Sequence, residues 1–381
     1  MRNYYLTNWV NGMKINHTHF ENSEKSLISL IEAHQESNVN PFNYGLLHKL
    51  FDDSQSSLKI KPLKTDNSNY IIQVSRCYGI SAHGVLFDFD SKVLGKEVEI
   101  ACNVNDFPKI SGRNESIFYL TITKDSFDRI LTGEPDAKEE PLRLPFVRPK
   151  YFLSIQTVKS INDISVASNS LVISRFVIQE GKLYVDDSYI PPVNTINAHE
   201  ALENIFDRLL DHLNILHISM YNIIFKFNNK HHQSPLAYNI KVICERLIFP
   251  LSSKFFSIHQ LYRHQTPVQF VKDINELAFT LKLAVDFLPA KEKEDLLLYL
   301  KEWNEVSPGE FDELLNNTIN LKYNHSDIFT SFAIIEELLE FLSPTFKKLS
   351  ELDLIGKRKA DKDFVVRETN VKAKKSFRLI D

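Results

Sequence analysis

From Leu202 to Phe227 the apolar positions of the chain keep a 3-4 spacing. Phe206, Leu213, Met220 and Phe227 recur every seven residues, and Leu202, Leu209, Leu216 and Ile223 recur at the same interval, offset from the first set. The stretch contains neither Pro nor Gly. This pattern predicts a long helix that buries a narrow seam against other helices. Ile205, Leu210 and Ile224 widen the stripe, which predicts more than one neighbour. Two readings of the seam stay open. One is a bundle helix within a single chain. The other is a homo-oligomer axis built from Phe206, Leu209, Leu213, Leu216, Met220, Ile223 and Phe227.

Before this helix the hydrophobic period is mostly two. Tyr70–Val74, Val98–Cys102, Ile117–Ile122, Tyr151–Val158, Leu171–Ile178 and Lys182–Val185 are short alternating runs rich in β-branched and aromatic residues. They predict a β-sandwich or barrel, with Gln179-Glu180-Gly181-Lys182 as a hairpin turn. Residues 133–149, rich in Pro and charge, predict an excursion from the sheet. Tyr189-Ile190-Pro191-Pro192 closes the strand region, because neither proline can donate to a ladder. At the start of the chain, Trp9 to Phe20 reads as strand-like with a bend at Asn11-Gly12. A short helix over Ser23–Glu36 follows, with Ser23 as its cap and Leu27, Ile28, Leu30 and Ile31 as its apolar face.

After Asn194 the pattern is helical at 196–228, 235–263, 267–287, 291–304, 308–317 and 325–342. Ser234-Pro235, Thr266-Pro267 and Ser307-Pro308 each place a cap before a proline at the first helical position. Ser326 or Asn324 is expected to cap the last helix, and Pro250 to kink the second. From Pro344 the periodicity fades into a basic tail with a short hairpin, Phe364–Val366 against Ser376–Ile380. The fold class is therefore α+β and multidomain: an N-terminal β-sandwich domain over 1–193, a helical bundle over 194–345 and a short basic segment over 346–381.

Composition changes this picture little. Hydrophobic residues make up 43% and charged residues 25% of the 381-residue chain, as in an ordinary globular protein. The net charge of −4 gives no general attraction to nucleic acid or anionic lipid. It is unevenly spread, since residues 347–381 carry eleven Lys/Arg against six Asp/Glu. Cys77, Cys102 and Cys244 have no paired spacing, which argues for a reducing compartment and against a disulfide scaffold. No secretory leader and no membrane span is expected.

Candidate chemistry is sparse. No Gly-rich phosphate loop, nucleophile elbow or zinc-protease motif occurs. His17-x-His19 and His231-His232 supply too few ligands for a metal site. Asp88-x-Asp90, Asp52-Asp53 and Asp186-Asp187 read as turn and edge carboxylates. No catalytic, cofactor-binding or metal-binding residue is assigned, no cofactor is expected, and an enzyme is not expected.

Four segments carry a family resemblance. Trp9-x-x-Gly12-Met13 with His17-x-His19-Phe20, then Asn43-Tyr44-Gly45-Leu46, then the strand from Leu171 leading through Tyr189-Ile190-Pro191-Pro192 into the long helix, and last Tyr323-Asn324-His325-Ser326-Asp327-Ile328 with Phe332, stand in the order found in the TssK family. That family forms the baseplate protein of type VI secretion systems. Asn11 departs from the family's acidic residue, and Asn16-His17-Thr18 departs from its Pro-Gln run. The resemblance ends at Pro344, where too little chain follows for the family's globular head.

The resemblance implies a cytoplasmic homotrimer docked at the inner membrane: a shoulder like that of phage receptor-binding proteins, a helical neck and a reduced head. It implies attachment to the wedge proteins TssF and TssG at the shoulder, where Trp9, Gly12, Met13, His19 and Phe20 are the expected docking residues. It also implies a link to the membrane-complex proteins TssL and TssM, expected through Lys357, Arg358, Lys359 and Lys362. Neither nucleic acid nor direct membrane insertion is expected. The alternative is a baseplate or receptor-binding protein of another contractile injection system.

Overall fold

A computed structural model of the chain describes residues 5–48, 56–109, 115–135, 140–157, 169–229, 234–304 and 306–356. The chain divides into two compact units. The first comprises Met1–Asn204 with the short segments Tyr262–Val268 and Asn324–Thr330; the second comprises Ile205–Leu261, Gln269–Tyr323 and Ser331–Asp381.

The first unit opens with helix α1, His17–Asn38. It starts earlier than the pattern predicts, and the reason is local. Asn16 is the N-cap of a capping box: its side chain accepts from the His19 N–H at 3.3 Å, and the His19 ring accepts from the Asn16 N–H at 3.2 Å. His17 and His19 are thus in the first helical turn rather than on a strand.

Two antiparallel sheets follow. In the first, the long strand β3 (Asn69–Ile80) is flanked on one side by β1 (Gly45–Leu46) and β2 (Leu58–Lys64), and on the other by β4 (Leu86–Asp90) and β5 (Val98–Asn103). In the second, the order is β7 (Phe146–Thr157), β6 (Glu115–Thr132), β8 (Ser170–Gln179) and β9 (Lys182–Val185). The turn from β8 to β9 has Glu180 at φ 52° and Gly181 at φ 73°, both left-handed, as a two-residue hairpin requires. Alternate residues point into the core: Ile72 and Val74 on β3, Phe87 and Phe89 on β4, Phe118, Leu120 and Ile122 on β6, and Phe176 and Ile178 on β8 are all buried. Among the described residues, strand β8 pairs with β6 over Glu115–Thr123. Beyond that point β6 and β7 continue, among the described residues, as a two-stranded ribbon to Thr132 and Phe146. Leu131 and Phe146 lie exposed near its end.

The second unit is helical. After the short helix α2 (Ser91–Leu94) of the first unit, helix α3 runs Glu200–Asn229 and enters this unit at Ile205. It is followed by α4 (Pro235–Ser253), α5 (Pro267–Asp286), α6 (Ala290–Asn304), α7 (Pro308–Ile319) and α8 (Ile328–Glu351). Ser234 and Ser307 cap α4 and α7 through hydrogen bonds from Ala237 and Glu310, with proline at the first turn in each. Helix α4 ends sooner than predicted. Pro250 lies in its last turn, and after Lys254 the chain passes through a π turn at Ser257–Leu261.

At α8 the sequence reading needs two corrections. The cap is Asp327, whose carboxylate accepts from the Thr330 N–H at 3.4 Å, rather than Ser326 or Asn324. The helix also runs through Pro344 to Glu351 instead of fading there. A proline in a helix interior costs about 3 kcal/mol. Leu342, Phe346 and Leu349 lie on one buried face across it, and burying an apolar side chain of that size returns about 1.5–3 kcal/mol. Packing therefore outweighs the backbone penalty. The expected tail hairpin at 364–380 lies outside the described residues.

Candidate functional site

The expected docking segment folds back on α1. The Trp9 ring lies 6.1 Å from the rings of both His19 and Phe20, and Thr7 Oγ1 donates to the His19 carbonyl at 3.2 Å. Gly12 supplies an open turn at φ 80°, and Met13 is half-buried. Trp9 remains 51% and Phe20 56% exposed. On α1 itself Leu27, Leu30 and Ile31 face solvent too, so the expected apolar face is for the most part not core. Between α1 and the β6–β7 ribbon lies a cleft of about 440 Å³, lined by Glu24, Leu27, Ile28, Lys124, Arg129 and Val147 among others. Arg129 donates to Glu24 at 2.5 Å across it. The N-terminal segment, α1 and the ribbon thus contribute exposed apolar surface to the first unit.

The expected seam is placed differently. Phe206, Leu209, Leu213, Leu216, Met220 and Ile223 are all buried by the chain's own residues, with Phe206 edge-on to Phe270 at 5.1 Å. Side chains consumed inside one chain have no surface left for a second copy, so the heptad stripe is corrected to the interior of a bundle. Phe227 is half-buried beside Tyr238 and Lys241. The opposite face of α3 carries Ile218, Tyr221 and Phe225 at 59%, 58% and 58% exposure, spaced three and four apart. Tyr221 and Phe225 stack at 6.3 Å.

Lys357, Arg358, Lys359 and Lys362 lie outside the described residues, as do Asp52-Asp53 and His231-His232. Asp90 accepts from the Lys92 N–H as the cap of a short turn. Burial pushes the thiol of Cys77 up to about 12 and that of Cys102 up to about 11, so neither presents a thiolate at neutral pH. Among the described residues no cluster of three His, Cys, Asp or Glu side chains suits a metal ion, and no helix is long and apolar enough to cross a membrane.

Three of the four motif segments meet at one place in the first unit. Gly45 sits at φ 115°, and a Cβ there would overlap the Pro192 carbonyl. The Leu46 N–H donates to the Pro192 oxygen and the Asn194 N–H to the Leu46 oxygen, both at 2.8 Å. The Asn194 side chain also donates to the Asn43 carbonyl. From the last motif, His325 Nε2 donates to the Tyr44 carbonyl at 2.8 Å, and the Tyr44 hydroxyl lies 3.3 Å from Ser326 Oγ. Burial pulls the His325 pKa down to about 4, against the opposing effect of the Tyr44 hydrogen bond. The ring is therefore neutral at pH 7.

An ion-pair network runs beside this knot. Arg175 on β8 donates from Nε to Asp186 at 2.6 Å and from its guanidinium to the Ser188 carbonyl at 3.1 Å, lies 3.6 Å from Asp327, and covers the Tyr189 ring at 4.9 Å. Burial works to raise the Asp186 pKa, but hydrogen bonds from Ser188 and Arg175 outweigh it and the net direction is downward. The carboxylate thus stays charged. Sequence reasoning identified these motifs singly and missed that they meet. The signal was an isolated glycine in an aromatic-Gly-Leu run facing a Pro-Pro pair.

No family model matches the chain, and no curated protein matches it. Solved structures do. A crystal structure of TssK aligns over 90% of this chain and 69% of its own, with a TM-score of 0.52 at 14% identity. A chain of the TssK-TssF-TssG baseplate subcomplex of the type VI secretion system, determined by cryo-electron microscopy, aligns over 89% of this chain and 99% of its own, with a TM-score of 0.50 at 13% identity. At these identities the likeness is one of architecture, and it spans both compact units: the chain has a TssK-like α+β fold.

Proposed function

We propose that the chain is a TssK-type baseplate adaptor of a type VI secretion system, binding wedge proteins of the TssF and TssG kind. The observation that carries this reading is the fold likeness along nine tenths of the chain. Its support in the residues is the knot of Tyr44, Gly45, Pro192 and His325, built from segments that resemble the family at the level of sequence.

The wedge-facing surface in this reading is the exposed apolar ground of the first unit: Trp9 and Phe20, with Leu27, Leu30 and Ile31 of α1 beside them. Gly12, Met13 and His19 shape that surface by turn and cap. The protein acts as a homotrimer whose subunits meet through Ile218, Tyr221 and Phe225 of α3, because the heptad stripe is already buried within the chain. The basic segment with Lys357, Arg358, Lys359 and Lys362 faces membrane-complex proteins of the TssL and TssM kind, which places the adaptor in the cytoplasm at the inner membrane. Its function is mechanical, and repeated contacts in a trimer strengthen one another through effective concentration.

Deleting residues 1–15 while keeping Asn16 as the α1 cap tests the wedge surface. The reading predicts loss of co-purification with the wedge proteins and an unchanged solution mass. Retained wedge binding contradicts it. For the tail, the triple change Lys357→Glu, Arg358→Glu and Lys359→Glu is expected to block membrane-complex binding and leave wedge binding intact. Binding that survives the charge reversal, or that does not weaken with salt, contradicts that part.

A further inference from the structure

Helix α5 carries an exposed apolar ridge that none of the surfaces described above uses. Phe279, Leu283 and Phe287 lie four residues apart and face solvent, while Leu281, Ala284 and Val285 between them are buried. The outward stripe of α3 matches this ridge in length. Ile218 to Phe225 spans about 10 Å of helix, and Phe279 to Phe287 about 12 Å. Helix α8 fixes their levels. Arg208, His212 and Lys226 of α3 meet Glu336, Ser343 and Ser350 of α8 in that order. Phe270 of α5 stacks on Phe332, and Leu281 and Val285 further on line an internal cavity with Leu342 and Phe346. Both helices therefore run in the direction of α8, and the two stripes stand at one level beside its second half. We propose that the α3 stripe of one copy of the chain packs against the α5 ridge of the next copy, with the two helices parallel.

The pairing rests on the homotrimer reading and names the surfaces that close the ring. In a cyclic assembly each subunit offers one patch to one neighbour and a different patch to the other. Rotation about an axis along the bundle keeps every residue at its height, so it joins only patches at equal levels. The α3 stripe and the α5 ridge meet that condition, which an unrelated partner has no need to satisfy. The α3 stripe does not serve as a coil on the axis. Asp211 and Asn214 stand one heptad before Ile218 and Tyr221, and Asn228 follows three residues after Phe225. The apolar seam is thus about one heptad long, short of the three or four that a coiled coil needs.

The two faces are also complementary in charge. Arg246 of α4 borders the ridge, with its guanidinium 5.5 Å from the centre of the Phe287 ring. On the α3 face the cations are already engaged: Arg208 is held by Glu336, and Lys226 donates to the carbonyls of Ser350 and Leu352. What that face presents is the exposed carboxylate of Asp211 and the stacked rings of Tyr221 and Phe225. A guanidinium beside one aromatic ring is suited to a second set of ring faces from the neighbouring copy. Like charges do not oppose each other across the contact, and ring closure lets three modest contacts strengthen one another.

The test is cysteine crosslinking of the full chain with a short bismaleimide, alongside light scattering. Cys77, Cys102 and Cys244 are buried, which keeps the background low. Tyr221→Cys combined with Leu283→Cys is predicted to give covalent species of up to three subunits. Each change alone is predicted to give none, because neither residue meets its own copy. Phe279→Glu with Phe287→Glu, both at exposed positions, is predicted to keep the helical circular dichroism and lower the solution mass about threefold. Crosslinked dimers from Tyr221→Cys alone, no crosslink in the double cysteine variant, or an unchanged mass in the glutamate variant overturns the pairing and leaves the homotrimer standing. An unaltered chain that is monomeric in solution overturns the homotrimer reading itself, and the pairing with it.

Discussion

His325 donates from Nε2 to the carbonyl oxygen of Tyr44 at 2.8 Å, and the two rings meet edge to face at 4.7 Å. The residues are 281 positions apart in sequence. The contact ties the turn that begins the first sheet to the segment that leads into α8, and both belong to the first unit. It is one of the most non-local contacts in the chain.

The pair makes stability pH-dependent. Burial lowers both His325 and His199 to about 4 from an ordinary 6.5. As the pH falls below 6.5 the unfolded chain takes up these protons first. Stability is therefore full above about 6.5, falls between 6.5 and 4, and levels off below. Each histidine accounts for about 2 kcal/mol of loss at pH 5. His325→Gln retains a donor for the Tyr44 carbonyl and is expected to remove about half of that loss. Urea unfolding at pH 7 and pH 5 measures it.

Gly45 is expected to tolerate no side chain. Its positive φ disfavours any L-residue, and a Cβ would collide with the Pro192 carbonyl rather than with a movable side chain. Gly45→Ala should destabilise the first unit by at least ~3 kcal/mol. Gly95→Ala shares the positive φ but has no neighbour within 4 Å, and should cost only ~1 kcal/mol. Denaturant midpoints of the two variants separate collision from backbone strain.

The cap of α1 provides a local test. Asn16→Ala removes the acceptor for the His19 N–H and should cost about 1 kcal/mol. Ser23→Ala, the cap expected from the pattern, lies inside the helix and should cost less. Amide exchange in residues 17–20 should accelerate in the first variant and stay slow in the second.

The two faces of α3 should respond differently. Leu213→Glu or Met220→Glu places a charge in the bundle interior and is expected to unfold the second unit. Tyr221→Glu with Phe225→Glu changes exposed positions and is expected to keep the helical circular dichroism while lowering the solution mass from trimer to monomer. An unchanged mass in the second variant would remove this face from the subunit interface.

Much of the fold was legible because its signals are local. Strand alternation located β3, β5, β8 and β9, and Ser-Pro pairs fixed the starts of α4 and α7. What was not legible depends on partners remote in sequence. The heptad stripe of α3 looks the same whether Phe270 or a second copy covers Phe206. Pro344 reads as a stop until Phe346 and Leu349 are seen to be buried beyond it. The capping box at Asn16 and His19 was available in the sequence, but a histidine replaces the usual Glu or Gln. At the knot, each motif was visible and the convergence was not, because Gly45, Pro192 and His325 meet only in the folded chain.

The most direct test of the adaptor reading is reconstitution. The chain would be co-expressed with the TssF and TssG proteins of the same host, and the complex passed over a sizing column with light scattering. The account predicts co-elution of all three, with the chain present in multiples of three copies, and loss of the complex when residues 1–15 are removed. Elution of the chain by itself, at a mass of one subunit with TssF and TssG in separate fractions, would contradict it.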